Sequence, residues 1–211
     1  MPLPIDLQQI RRIKLVWHHQ HRAIGYFQGM GDVVLVIFII VYEYLLGELT
    51  PEKYETVGDE AVRVVESATY TITTFLLDNI LSHSPRTEKG VEFHPETLFR
   101  TVMRRVDARR PGCMGGDDIY CKQQLYRILV CFFARDLSVQ NAAAIYDALI
   151  CGFAGDAFET FVRMVTGLVV KMADDGVNFQ RVETIAVYLQ KLFRSTDDET
   201  VQALIACVWQ M

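Results

Sequence analysis

Ten consecutive apolar residues, Val33 to Tyr42, stand between Asp32 and Glu43. A helix built from them has no polar face, so it must be covered on all sides, and Gly47 is placed to end it. The run is too short to be a bilayer span, which needs roughly 20 apolar residues. It therefore predicts a core helix, and the rest of the chain has to supply its surroundings. A length of 211 residues allows one sizeable domain, or two small ones sharing a core. With 51% hydrophobic and 22% charged residues the chain belongs with ordinary globular proteins and not with disordered ones. No basic region followed by an apolar run and a cleavage site opens the sequence, so secretion is not expected.

Helical spacing recurs almost everywhere else. Leu7, Ile10, Ile13 and Trp17 mark an amphipathic helix from about Ile5 to His19. Thr50-Pro51-Glu52 is a helix start, with a threonine cap and proline at the first position, and Val57, Ala61, Val64, Ala68, Ile72 and Phe75 predict one inward face running on to about Leu81. Ser82 to Phe93 is polar and rich in breakers, and reads as an exposed loop joining two subdomains, 1–85 and 94–211. Beyond it, helices are predicted from Pro95 to Pro111, from Ile119 to Arg135, from the Ser138 cap to Gly152, through Phe158 to Met172, through Val182 to Leu192, and from a Thr196 capping box through Val208. The expected fold is all-α, an irregular array of about nine helices in two subdomains, without strand signals and without the repeat period of about 30 to 45 residues that marks a solenoid.

A net charge of −5 and a pI near 5.5 leave no overall basic field for nucleic acid or anionic membranes. Arg104, Arg105, Arg109 and Arg110 read as a solvated helix face. Cys113, Cys121, Cys131, Cys151 and Cys207 show no zinc spacing and are expected to be reduced core residues of a cytosolic protein. His18, His19 and His21 cluster without a second ligand group, so a polar helix end is expected and no metal.

Immediately before the apolar run lies Ile24-Gly25-Tyr26-Phe27-Gln28-Gly29-Met30-Gly31-Asp32, with three glycines in seven residues. Glycines at that density mark a backbone that bends sharply or is closely approached, and Gln28 at its centre both donates and accepts hydrogen bonds. A phosphate-binding loop does not fit: no Gly-Lys-Ser/Thr follows, and a helix precedes where a strand is needed. On the residues alone, Gln28 either does chemistry for a partner or caps a helix in a structural loop.

The turn closely resembles Ile-Gly-Tyr-x-Gln-Gly-Met-Asn-Asp, the signature of the TBC domain, a family of GTPase-activating domains acting on Rab GTPases; Gly31 stands where the family often has asparagine. The resemblance implies that Gln28 is a catalytic finger entering the partner's nucleotide site, with Tyr26, Gly29, Met30 and Asp32 shaping the turn and meeting the partner. Further along, Leu125 to Leu137 and Ile145-Tyr146-Asp147-Ala148-Leu149-Ile150 are similar to the family's Trp-Phe-Leu-x-x-Phe helix and its Ile-Trp-Asp-x-x-Leu. Tyr146 replaces the tryptophan and Ala144 a preceding arginine, and Asp147 is expected to be structural. The family's second catalytic element, Ile-x-x-Asp-x-x-Arg, lies well upstream of the glutamine, whereas only 27 residues precede Gln28 and Asp6 is followed by Leu7, Gln8 and Gln9. The implied protein is a Rab GTPase activator that is catalytically incomplete without an arginine finger, or else a non-catalytic Rab-binding or scaffolding module. A third reading is a helical interaction domain with no GTPase partner. The family implies no cofactor in this chain, since GTP and magnesium belong to the GTPase. It also implies a cytoplasmic location, with membrane association only peripheral and through that partner.

Overall fold

The computed structural model describes residues 5, 7–22, 24, 28–81, 83, 86–87, 90–91, 95–115, 119–152, 155–194 and 198–210. Among these are ten helices, and the chain forms two compact units, Met1–Phe93 and His94–Met211. No described helix is long and apolar enough to cross a membrane.

In the first unit, α1 (Leu7–Gln20), α2 (Met30–Leu46), α3 (Pro51–Thr56) and α4 (Asp59–Leu81) are followed by a two-residue antiparallel pair, β1 (Arg86–Thr87) and β2 (Gly90–Val91). Helix α2 is its centre. Eight of the ten residues from Val33 to Tyr42 are buried, leaving only Leu35 and Ile40 in partial contact with solvent. Helix α1 covers one side with Ile10, Ile13 and Trp17, and α4 covers another with Val65, Leu76, Leu77 and Ile80. Polar ties hold α1 and the residue after it: Tyr54 donates to Gln9, Tyr70 donates to Gln20, Arg12 pairs with Glu66 at 2.5 Å, and His21 with Asp78 at 3.0 Å.

Three expectations fail here. The single helix predicted from Pro51 is two, because Val57 is extended (φ −70°, ψ 127°) and glycine follows it. The inward face of α4 is also displaced by one residue: Val64 and Phe75 are 53% and 46% exposed, while Thr69 and Thr73 are fully buried. A threonine methyl packs as a valine's does, so reading these residues as polar rotated the apparent stripe. The β pair within Ser82 to Phe93 was not expected either, since two residues per strand show no alternation.

The second unit contains α5 (Pro95–Arg109), α6 (Ile119–Cys131), α7 (Val139–Cys151), α8 (Ala157–Asp174), α9 (Val182–Arg194) and α10 (Asp198–Gln210). Helix α8 is the hub, burying Phe161, Val162, Met164, Val165, Leu168, Val169 and Met172 against α5, α7 and α10. Ser138 and Asp156 cap α7 and α8 by accepting from Asn141 N and Glu159 N. The Thr196 box falls outside the described residues.

Helix α6 stops four residues earlier than predicted. Phe132 and Phe133 take left-handed backbone angles (φ 46° and 66°) while remaining fully buried. Such angles cost bulky residues about 1–3 kcal/mol each. Both rings meet Phe161 edge-on, with centroids 5.1 and 5.8 Å away, and Arg127 Nε donates to Asp136 Oδ1 across the turn at 2.9 Å. Burial pushes the Asp136 carboxyl above the ordinary aspartate range, against the pull of Arg127. Cys151, expected in the core, is exposed at the end of α7, whereas Cys121 and Cys131 are buried.

The supposed solvated arginine face is partly committed. Arg105 holds both oxygens of Glu159 at 2.8 and 2.7 Å, Arg163 holds Glu159 Oε1 at 2.7 Å, and Arg110 pairs with Asp174. Arg163 also donates to the Val208 carbonyl at 3.0 Å, so one carboxylate and two guanidinium groups link α5, α8 and α10. Hydrogen bonds from Arg105, and after it Arg163, hold the Glu159 carboxyl down at about 2 against the opposing effect of burial. A depressed carboxylate contributes stability that is complete above the unfolded-state pKa and lost as pH falls through the folded one. Arg105→Ala should cost about 1–2 kcal/mol near neutral pH, a cost that shrinks as pH falls from about 4.5 toward about 2, measured by denaturant titration across that range.

Candidate functional site

The turn begins where α1 ends. His21 N donates to the Trp17 carbonyl at 2.9 Å, and its ring stacks on the Trp17 indole with centroids 4.5 Å apart. Ile24 N then donates to the His21 carbonyl at 2.9 Å, which closes the chain over the helix end. His18 and His19 are exposed in the last turn of α1, as expected of a polar helix end, and no group of three metal-binding side chains occurs among the described residues. Gly25, Tyr26 and Phe27 lie outside the described residues.

Gln28 is exposed, and its side chain has no hydrogen bond within the described residues. Gly29 follows as the residue before α2, at φ 99° and ψ −22°, and no side chain caps the helix. That φ is left-handed and favours glycine. Gln28 therefore does not cap α2; the glycine angle carries the chain from an exposed amide into a buried helix within two residues. Of the residues expected to meet a partner, Gly29 is buried and Met30 is 1% exposed, so neither offers surface, while Asp32 is half-buried in the first helical turn. A Cβ at Gly31 would meet only the end of the Lys14 side chain, at 3.4 Å, so alanine fits there with little adjustment.

Chemically, a neutral amide can orient a water or a phosphate oxygen but cannot act as a nucleophile or take up a proton. The expected motif residues of the second unit fall elsewhere: Ile145, Tyr146 and Leu149 are buried in α7, and Asp147 is exposed with no ion pair among the described residues. Beside Met30 the sequence reading missed a cleft of about 270 Å³ lined by Arg11, Lys14, Leu15 and His18. Its signal was present as the absence of any acid in the stretch Leu7–Gln20. A larger opening of about 570 Å³ between α6 and α9 includes Gln123, Arg127, Asp136 and Gln190, but its one carboxylate is already engaged by Arg127.

The family profile of the Rab-GTPase-TBC domain matches residues 4–177, a span that includes both the glycine turn and Asp147. The chain belongs to this family. Its TBC relatives include the GTPase-activating protein gyp1 of Schizosaccharomyces pombe, 23% identical over 212 residues that cover 98% of this chain and 41% of that protein. TBC1 domain family member 22A of Mus musculus is 24% identical over 204 residues, covering 95% and 39%. The crystal structure of the Ypt/Rab-GAP domain of Gyp1p superposes with a TM-score of 0.69 at 20% identity, over 96% of this chain and 64% of that one, which establishes the shared TBC fold. The chain spans about two-fifths of the curated relatives' length.

The two glycines flanking Met30 should behave oppositely. Gly29→Ala should destabilise the domain by about 1–2 kcal/mol, because its φ is left-handed. Gly31→Ala, inside α2, should be neutral or stabilise by up to about 1 kcal/mol. Paired urea unfolding curves at constant m-value check both.

Proposed function

We propose that this TBC domain binds a GTP-loaded Rab-family GTPase and places Gln28 in its nucleotide site. The observation that carries the reading is the exposed Gln28 amide, without a hydrogen-bond partner among the described residues, immediately before a left-handed glycine and a helix whose first half is largely buried. GTP hydrolysis is limited by the orientation of the attacking water and by stabilisation of charge on the transferred phosphoryl group. An amide held on a rigid support serves the first need: its carbonyl accepts from the water while its NH₂ donates nearby. On this reading Tyr26 and Asp32 face the partner, while Gly29 and Met30 act through the shape of the turn. Magnesium and nucleotide are the GTPase's, the domain works in the cytoplasm, and it reaches endomembranes through that partner.

The second need calls for a planar cation across the phosphate oxygens, worth about three to five decades in rate. The 27 residues before Gln28 contain no Asp-x-x-Arg. That observation favours weak stimulation by these 211 residues, and it is also what a non-catalytic Rab-binding module of the same fold would carry.

Single-turnover hydrolysis on a panel of GTP-loaded Rabs tests the proposal. The 211-residue chain should accelerate hydrolysis on its best-binding Rab, though far less than a TBC domain that carries the arginine motif. Gln28→Ala should reduce that acceleration by about tenfold or more, the scale of losing one positioned hydrogen-bonding group, without loss of folding. Binding with no Gln28-dependent hydrolysis would leave the non-catalytic module as the correct reading.

A further inference from the structure

Along α1, Leu7, Arg11, Leu15 and His18 fall on one exposed face, with Leu7 and Leu15 exposed by 69% and 57%. The half-buried Lys14 stands beside them, and Arg11, Lys14, Leu15 and His18 line the cleft described above together with Met30. Leu15 and Met30 are its apolar lining, and Arg11 and Lys14 bring two cations to it. The helix bears three Lys/Arg and no acid, in a chain whose formal net charge is −5. Asp32 lies in the first turn of α2, and Glu66 is held by Arg12 at 2.5 Å.

The three arginines near the turn are not equivalent. Arg12 is committed to Glu66, and Arg22 lies against the His19 ring at 3.1 Å. Arg11 opens into the cleft and has no ion pair among the described residues. We infer that this face of α1 grips the partner GTPase by taking an acidic surface segment that carries an apolar side chain. The apolar group seats on the exposed Leu15, and the acid meets Arg11.

The inference rests on the function proposed above: the cleft opens beside Met30, two residues beyond Gln28, so a protein receiving Gln28 presents its neighbouring surface here. An exposed arginine flanked by apolar residues is the composition found at interface hot spots, and complementary charge raises the association rate. An anionic membrane is the lesser fit. Lipid-binding clusters carry about four to eight basic residues, whereas α1 has three, one of them tied to Glu66, and its exposed apolar residues Leu7, Leu15 and Val16 include no aromatic.

The test uses the whole 211-residue chain with the Rab that binds it best when loaded with GTP. Arg11→Glu and Leu15→Ser, each verified as folded by circular dichroism and thermal unfolding, should weaken binding by about tenfold or more. For Arg11→Glu the loss should lie mainly in the association rate and flatten its salt dependence. Gln28→Ala should reduce the acceleration of hydrolysis by about tenfold or more. Unchanged affinity of folded Arg11→Glu and Leu15→Ser for a Rab that binds the parent chain would overturn this inference alone. Failure of the parent chain to bind any GTP-loaded Rab would overturn the functional proposal, and this one with it. Arg11-dependent sedimentation with equimolar phosphatidylcholine–phosphatidylserine vesicles, with Rab binding unaffected, would assign the face to a membrane instead.

Discussion

A helix with no polar face cannot border water, and α2 imposes that condition on the whole first unit. From Val33 to Tyr42 only Leu35 and Ile40 retain partial exposure, so α1 and α4 must pack along it, and each is amphipathic for that reason. The consequence reaches the site. An enclosed helix has a fixed beginning, and Gly29, at a φ of 99°, turns the chain outward at that beginning. The exposed amide of Gln28 is thus attached to the least mobile kind of element a small domain has. Positioned groups on rigid elements are what orientation-dependent chemistry requires.

The second unit is held on a different principle. Glu159 gathers Arg105 and Arg163 at distances of 2.7 to 2.8 Å, and Arg163 reaches on to the Val208 carbonyl, so one carboxylate sets the registry of α5, α8 and α10. Nearby, two phenylalanines tolerate left-handed backbone because their rings fill space against Phe161 and because Arg127 and Asp136 close the turn. Strain at that turn is offset by contacts that exist only once the unit is packed.

That distinction explains what could be read from the chain alone. Thr50 and Ser138 were legible as helix caps because a cap is settled within four residues, and both accept the expected backbone N–H. The glycine turn was legible because few other sequences allow such a backbone. The end of α6 was not: Phe132 and Phe133 continue the apolar pattern of a helix, and only tertiary packing reveals that they leave it. The inward face of α4 was misplaced because Thr69 and Thr73 bury their methyl groups, a choice made by the neighbouring helices. Arg11 looked equivalent to Arg12 in the sequence, since the difference lies in Glu66, 54 residues away from Arg12.

On the proposed function, α2 presents Gln28 to a GTPase at the moment of phosphoryl transfer. The most direct measurement is the affinity of the chain, and of its Gln28→Ala variant, for one Rab loaded in turn with GDP and with GDP–aluminium fluoride, which mimics the transferring phosphoryl group. A group that acts in the transition state binds its mimic preferentially. The parent chain should prefer the fluoride complex by about tenfold or more, and Gln28→Ala should lose that preference. Equal affinity for the two states, or a preference that survives Gln28→Ala, would contradict the account.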